Sequence, residues 1–475
     1  MSKYIKLFEN HTQYEAYLGG GEMILPNVSH CIDVNDVHYN PIPHDYSKDY
    51  LTFVALENGT FTFTPVNDNV ISYSLDEGNT WTELAANTNT PTVTRGKTIL
   101  WKGEMTPLNE YRESGIGYFT SSGPFDLEGN IMSLLFGDNF RGQTDLTGKD
   151  GAFANLFQNS IPMGDFDNFN PCYIVNAENF ILPAMTLSDS CYDNMFRGCG
   201  SLTTPPELPA MTLASTCYRS MFYKCTGLKT APALPAMTLA STCYYYMFYE
   251  CTSLTTAPEL PATEIVDYCY GHMFNDCTNL VNAPSVLPGK TLKFRCYTNM
   301  FEGCSKLTTA PEILATSIEV GTDGGGYGQC CNEMFRDCTS LTTVQSVLYS
   351  TTLADHCYWG MFYGCTKLVN APTLPATTLA SGCYDDMFEN CTSLLIAPEL
   401  PATTLVYNCY SGMFYGCRNL NYIKCLATDI SANDCTDRWV TSVASNGTFI
   451  KAASMSNWTT GTSGIPSGWT VQDAS

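Results

Sequence analysis

The sequence predicts an α/β repeat solenoid of about nine 26-residue units preceded by a small all-β domain. Three observations predict it. A unit read most clearly from Leu208 to Ala233, LPAMTLASTCYRSMFYKCTGLKTAPA, recurs between Ile181 and Cys425. Of the 23 cysteines, 18 fall two per unit in the spacing Cys-x7-Cys, from Cys191 and Cys199 to Cys409 and Cys417. Ahead of the repeats, short apolar runs broken by Gly, Asn and Asp fill residues 50–135. A fixed period of this length marks a stack whose units touch only their neighbours, and turn signals this dense mark a small sandwich.

Residues 1–47 read as an N-terminal anchoring arm. The run ILPNVSHCIDVNDVHYNP, from Ile24 to Pro41, resembles a leader of structural proteins, fibres and appendages, of tailed phages of gut bacteria. That resemblance implies attachment to other virion proteins through this region. It agrees with an N-terminus that has no apolar stretch long enough for a signal-peptide core. Residues 48–146 read as the β-sandwich-like domain, with YLTFVAL, GTFTFTP, VISYSL, NTWTEL, TILWKGEM and IGYFTS as strands. Inside it Ser74, Asp76, Gly78, Thr80 and Trp81 match the Asp-box pattern of sialidase-like propellers. A single copy reads as a hairpin turn held by an Asp and a buried Trp.

Residues 147–425 read as the solenoid. Its first segment, Gly151 to Asn159, keeps the apolar stripe without the cysteines, as an N-terminal capping unit should. Within a full unit Cys217, Tyr218, Met221, Phe222 and Cys225 stand at offsets 0, 1, 4, 5 and 8, one stripe of a helix or short helical turn. Arg219, Ser220, Tyr223 and Lys224 then point outward. Leu228 to Ala231, stopped by Pro232, gives a brief strand. Each unit therefore reads as one helical side, one strand side and two turns, with Cys217, Met221, Phe222, Cys225 and Leu228 as its core. A unit alone buries too little apolar surface to offset the ordering of its backbone, so units must stack.

Two cysteines eight residues apart on one helix would be separated by about 12 Å, too far for a disulfide. The ladder is expected to hold reduced, structural thiols acting as small hydrophobes. Between Ile313 and Cys330 the unit is lengthened by a glycine-rich excursion, Gly321 to Gln329, and Cys331 replaces the usual Tyr. Residues 426–475, with Trp439, Trp458 and Trp469, read as a C-terminal cap over the last unit's edge.

The string M-F-x-x-C-T-x-L, followed by a short apolar strand and a proline, is similar to the BspA-like class of leucine-rich repeats. In that class Ala usually stands where this chain has Met221, Met247 or Met387. The resemblance spans about Phe153 to Cys425. It implies a leucine-rich-repeat-like, curved solenoid with a β face and a helical face, in a class whose members include surface adhesins.

With 46 acidic against 23 basic residues, the net charge of -23 repels nucleic acid and anionic membranes. No run of eighteen apolar residues occurs, so no membrane insertion is expected. Nucleophile-elbow, zincin, Walker and dinucleotide motifs are missing from any fitting context, and the six histidines do not accompany the cysteines. No catalytic residue, metal or cofactor is therefore assigned, and Asp385 and Asp386 read as a solvated face.

Recognition chemistry is better represented. The outward positions hold Arg219, Tyr223, Tyr245, Tyr246, Tyr249, His272, Trp359, Tyr363 and Tyr415 among small polar residues, the composition of adaptable binding faces. These are the candidate ligand-binding residues. Three functions are expected, in order. The first is a non-enzymatic phage virion structural protein, a head or tail fibre or appendage, homo-oligomeric and attaching to bacterial surface glycan or protein. The second is a secreted BspA-like adhesin at the bacterial cell surface. The third is a glycan depolymerase.

Overall fold

The computed structural model describes residues 3–9, 12–18, 44–110, 113–158, 172–319, 328–456 and 458–474. The leader Ile24 to Pro41 and most of the excursion from Gly321 lie outside the described residues.

At the N-terminus β1 (Lys3–Glu9) and β2 (Thr12–Leu18) pair as an antiparallel hairpin. A small β region follows: β3 (Leu51–Ala55), β4 (Phe61–Pro65), β5 (Ile71–Ser74), β6 (Thr82–Leu84), β7 (Thr98–Gly103), β8 (Leu108–Glu110), β9 (Glu113–Gly115), β10 (Gly117–Ser121) and β11 (Phe125–Asn130). Strands β3 to β7 and β10 coincide with the six apolar runs read from the sequence, whereas β8, β9 and β11 fall outside them. One sheet has the order β12-β11-β3-β7-β5-β6, where β12 (Phe180–Ile181) already belongs to the solenoid, and β10 pairs with β4 in a second layer. Alternation along β4 and β10 turns Phe61, Phe63 and Phe119 inward. There Phe53 meets Phe119 at 5.0 Å and Phe125 at 4.6 Å between ring centroids.

The Asp-box is a turn, as expected. Asp76 accepts from the Thr80 N–H at 2.9 Å and from the Thr80 hydroxyl at 2.7 Å, and these bonds hold its carboxyl down to about 2. Trp81 is half-buried instead of buried, edge-on to Tyr50 at 4.9 Å with Lys102 Nζ 4.4 Å from its ring.

The solenoid is present, but the helical side of each unit is not helical. The only α-helix among the described residues is α1 (Ser133–Phe136), and the segment from Thr216 to Cys225 is a run of tight turns. Every fourth residue is left-handed: Thr216, Ser220 and Lys224 have φ of 55°, 52° and 56°, and the pattern repeats in the following units. Backbone hydrogen bonding alternates. The N–H groups of Arg219, Met221 and Tyr223 donate three residues back, at 3.1, 3.3 and 3.1 Å. Those of Tyr218, Ser220, Phe222 and Lys224 donate to the next unit, to Cys243, Tyr245, Met247 and Tyr249 carbonyls, at 3.0, 2.8, 3.0 and 2.8 Å.

An α-helix would keep these donors to itself, whereas here half of them lace neighbouring units together. The strict period of four differs from 3.6 by too little to show over nine residues. A second signal is legible once sought: Asn299 and Gly303, Gly360 and Gly364, Gly412 and Gly416 occupy the left-handed positions, as residue types that tolerate φ > 0 should.

On the strand side, units meet through short parallel pairings. Thr256 bridges Asn282, Asn282 bridges Thr309, and Thr309 bridges Thr343. The pairing lengthens where β13 (Val286–Leu287) and β14 (Thr291–Leu292) meet β15 (Glu312–Ile313) and β16 (Ser317–Ile318). Pro258, Pro284 and Pro311, two residues after Thr256, Asn282 and Thr309, keep those pairings short, because proline supplies no donor to a ladder.

Inside, identical side chains stack. Cys217, Met221, Phe222, Cys225 and Leu228 are all buried, and Met221, Met247 and Met387 line one interior. Phe196, Phe222, Phe248 and Phe274 stack at 5.5–5.6 Å with nearly parallel rings. A parallel row of tyrosines, Tyr192 to Tyr297, is interrupted where Cys331 stands and resumes at Tyr358.

The described cysteines are free and buried. The second thiol of each unit does more than fill space, since Cys225, Cys251 and Cys277 donate to the carbonyls of Phe196, Phe222 and Phe248 at 3.0, 3.1 and 3.0 Å. These are bonds to the preceding unit. Burial pushes the Cys251 thiol well above its usual range, so it stays protonated as this donor role requires.

One core runs from Leu51 to Trp469. Phe157 stacks on Phe196 at 5.3 Å on one side and on Phe119 of the β region at 6.0 Å on the other, so the first rung is shared. At the far end Trp439 stacks on Tyr410 at 6.4 Å and Trp458 at 5.7 Å, and its indole donates to the Gly464 carbonyl at 2.9 Å. Three parallel strands, β17 (Tyr422–Cys425), β18 (Thr448–Lys451) and β19 (Thr470–Asp473), continue the stack to its end.

Candidate functional site

The turn run fixes which side chains leave the core. Its period of four places Arg219, Ser220, Tyr223 and Lys224 of one unit beside Tyr245, Tyr246, Tyr249 and Glu250 of the next, although Ser220, expected to point outward, is buried. The inward residues are nearly invariant from unit to unit while the outward columns diverge. One column reads Asp193, Arg219, Tyr245, Gly271, Thr298, and another reads Arg197, Tyr223, Tyr249, Asn275, Glu302.

The structure gathers Tyr223, Tyr245, Tyr246, Tyr249 and His272 into one patch. Tyr223 and Tyr249 are stacked at 4.7 Å, with the Arg197 guanidinium 4.3 Å from the Tyr223 ring. Tyr246 stacks on His272 at 4.4 Å and meets Tyr245 edge-on at 4.4 Å. Gly271 makes room for this arrangement: a Cβ there would lie 2.7 Å from Tyr245 Cε2. Burial holds the His272 imidazole down to about 4, so it is neutral near pH 7.

None of the candidate residues stands fully exposed. Arg219, Tyr223, Tyr245, Tyr246, Tyr249, Trp359, Tyr363 and Tyr415 are all half-buried. Arg219 is committed to Asp193 through two hydrogen bonds of 3.0 and 2.5 Å. Ring faces within the patch are occupied by other rings, so it meets solvent through ring edges and hydroxyls more than through flat platforms.

The other candidates lie farther along the stack. Tyr363 carries the Arg336 guanidinium at 4.6 Å, Trp359 Nε1 lies 3.4 Å from Asp386 Oδ2, and Tyr415 has Arg438 at 5.9 Å. The sequence reads Asp385 and Asp386 as a solvated face, but both are half-buried. Burial first, and the neighbouring Asp386 second, push Asp385 and Glu389 each up to about 7.

A stability consequence follows from the sign of these shifts. A carboxyl whose folded-state value is raised binds protons more tightly when folded, so its contribution is full below about 4 and is lost as pH rises towards 7. The melting temperature should therefore fall between pH 4.5 and 7.5, and Asp385→Asn should flatten that slope; an unchanged slope in thermal melts would contradict the assignment.

Among the described residues no group of three His, Cys, Asp or Glu is placed to hold a metal ion, and no helix is long and apolar enough to cross a membrane. The family model for the BspA type leucine rich repeat region matches residues 189–315 and 328–435 in six copies. These residues are similar to a BspA type leucine-rich repeat region. No curated protein matches the chain.

Among solved structures the chain is similar to a leucine rich cell surface protein from Faecalibacterium prausnitzii, at 16% identity over 57% of this chain and 86% of that one, with a TM-score of 0.21. It is also similar to a leucine-rich repeat protein from Bacteroides ovatus, at 16% identity over 74% and 89%, with a TM-score of 0.19. The matched BspA type region begins at the second inward stack and includes every candidate residue from Arg219 to Tyr415.

Proposed function

We propose that the chain is a non-enzymatic adhesin of the BspA-like kind, acting at a bacterial cell surface and binding its ligand through the turn side of the solenoid. The observation that carries this reading is the contrast between columns. Core positions repeat in register, whereas Arg219, Tyr245, Gly271 and Trp359 occupy a single outward column. Selection for folding alone explains the repeated positions; an individually varied surface on a stiff frame suits recognition. The BspA type region supports an adhesin over a virion fibre. The virion reading rests on Ile24 to Pro41, outside the described residues, and no comparison supports it.

The patch around Tyr245, Tyr246 and Tyr249 is the proposed centre of binding. Its rings already pack against one another, so recognition falls to phenol hydroxyls and ring edges, which suit the hydroxyls of a glycan or the polar surface of a protein. Tyr245→Phe, Tyr246→Phe and Tyr249→Phe in one variant should keep the stacking and lower binding to bacterial or host cell-surface glycans at least about 10-fold, the scale of one or two lost hydrogen bonds. Glycan-array and whole-cell binding with the parent and the triple variant tests this. Equal binding by both proteins would move the site elsewhere.

A further inference from the structure

The patch of rings continues past His272 and ends on an arginine. Tyr245 meets Tyr268 edge-on at 5.7 Å, and Tyr268 meets Phe294 at 5.2 Å. The Arg295 guanidinium then lies 5.3 Å from the Phe294 ring and 5.9 Å from the Tyr268 ring. Gly271 lets these groups converge from three successive units, because a Cβ there would stand 2.7 Å from Tyr245 Cε2 and 3.1 Å from the Arg295 carbonyl oxygen.

Arg295 differs from other turn-side arginines in its partner. Arg219, Arg336 and Arg438 are each tied to a carboxylate, of Asp193, Glu333 and Asp437. Arg295 instead donates through Nε to the neutral side-chain oxygen of Gln329 at 2.7 Å, and no carboxylate of a described residue lies within ion-pair distance of it. The Asp267 carboxyl is turned to the Phe294 N–H, which it accepts at 3.0 Å. Gln329 is itself fixed, its carbonyl accepting the Thr298 hydroxyl at 2.6 Å. Held through Nε, the guanidinium keeps both Nη groups without an acceptor among the described residues.

A half-buried guanidinium is incompletely hydrated and gains most from an anion that fits its planar fork. His272, kept neutral by burial first and by the Arg295 charge second, adds no further cation. A single positive charge in a chain of net charge -23 matches the single charge of a carboxylate, not the double charge of a phosphate monoester.

We infer that Arg295 is a subsite for the carboxylate of an acidic sugar, taken end-on by the two Nη groups, with Tyr268 and Tyr245 beside it to meet the sugar's hydroxyls. The subsite presupposes the adhesin function and narrows its ligand to glycans that carry a sialic or uronic acid.

Titration calorimetry on the full chain tests this with sialyllactose against lactose, and with trigalacturonic acid against its methyl ester. At least one acid should bind at least about 10-fold more tightly than its neutral counterpart, the scale of a hydrogen-bonded charged group. Which pair shows the preference separates sialic from uronic acid as the source. Arg295→Gln should erase that preference while the neutral probe binds as before; if this variant does not fold, the parent's own preference decides. Equal affinity for acid and neutral forms in both pairs, or a preference that survives Arg295→Gln, would overturn the inference. The triple tyrosine variant keeps the two readings apart. Binding that it loses, but that is blind to the probe's charge, removes the carboxylate subsite and leaves the tyrosine patch standing. An acid preference that persists in the triple variant and vanishes in Arg295→Gln upholds the subsite and removes the patch.

Discussion

Phe248→Ala should destabilise the protein by about 3–5 kcal/mol, the range for removing a fully buried aromatic ring from a close-packed core. Phe248 is buried between Phe222 at 5.6 Å and Phe274 at 5.5 Å, and its carbonyl accepts the Cys277 thiol. The flanking rings are held by two ladders of backbone bonds, so the stack cannot collapse into the cavity. In a quasi-one-dimensional molecule a weak rung also divides the row. Denaturant unfolding should therefore show a lower midpoint and a broadened or split transition. A loss below about 1 kcal/mol would mean that the ring stack is not a cohesive spine.

Ser220→Pro should cost about 3 kcal/mol or more, since proline needs φ near -65° and lacks the N–H that Ser220 donates to Tyr245 O at 2.8 Å. Ser220 has φ of 52°. A helix would also reject this proline, so a companion substitution separates the two structures. Thr242, a β-branched residue at φ 58°, sits in the same left-handed series. In a helix Thr242→Gly would lower stability, whereas in the turn run it relieves strain and should raise stability by about 1 kcal/mol. Thermal melts of the two variants give the signs directly. A destabilised Thr242→Gly protein would restore the helical side.

The divergence between sequence and structure is confined to particular groups. Phe222, Met221 and Leu228 were legible as core because burial depends on side-chain chemistry recurring in register, and that is written in the repeat. The run Cys217 to Cys225 was legible as one segment with an inward stripe, but its conformation was not. Offsets of 0, 1, 4, 5 and 8 satisfy both a helix and a four-residue turn run over so short a length. Only the partner on the next unit decides between them, by accepting every second N–H. The candidate residues divide in the same way: their outward position followed from the stripe, while the stacking of Tyr223 on Tyr249 and of Tyr246 on His272 required knowing how units sit side by side.

By itself the sequence determined the period, six of the nine strands of the β region, the identity of the inward side chains and the net negative charge. Those properties are local or additive along the chain. The tertiary structure alone decided that the turn side is laced between units, that the second thiol of each unit is a hydrogen-bond donor, and that the β region covers the first rung of the stack. Each of these depends on a contact between residues a unit or more apart, where a donor finds its acceptor only after the chain has turned back on itself.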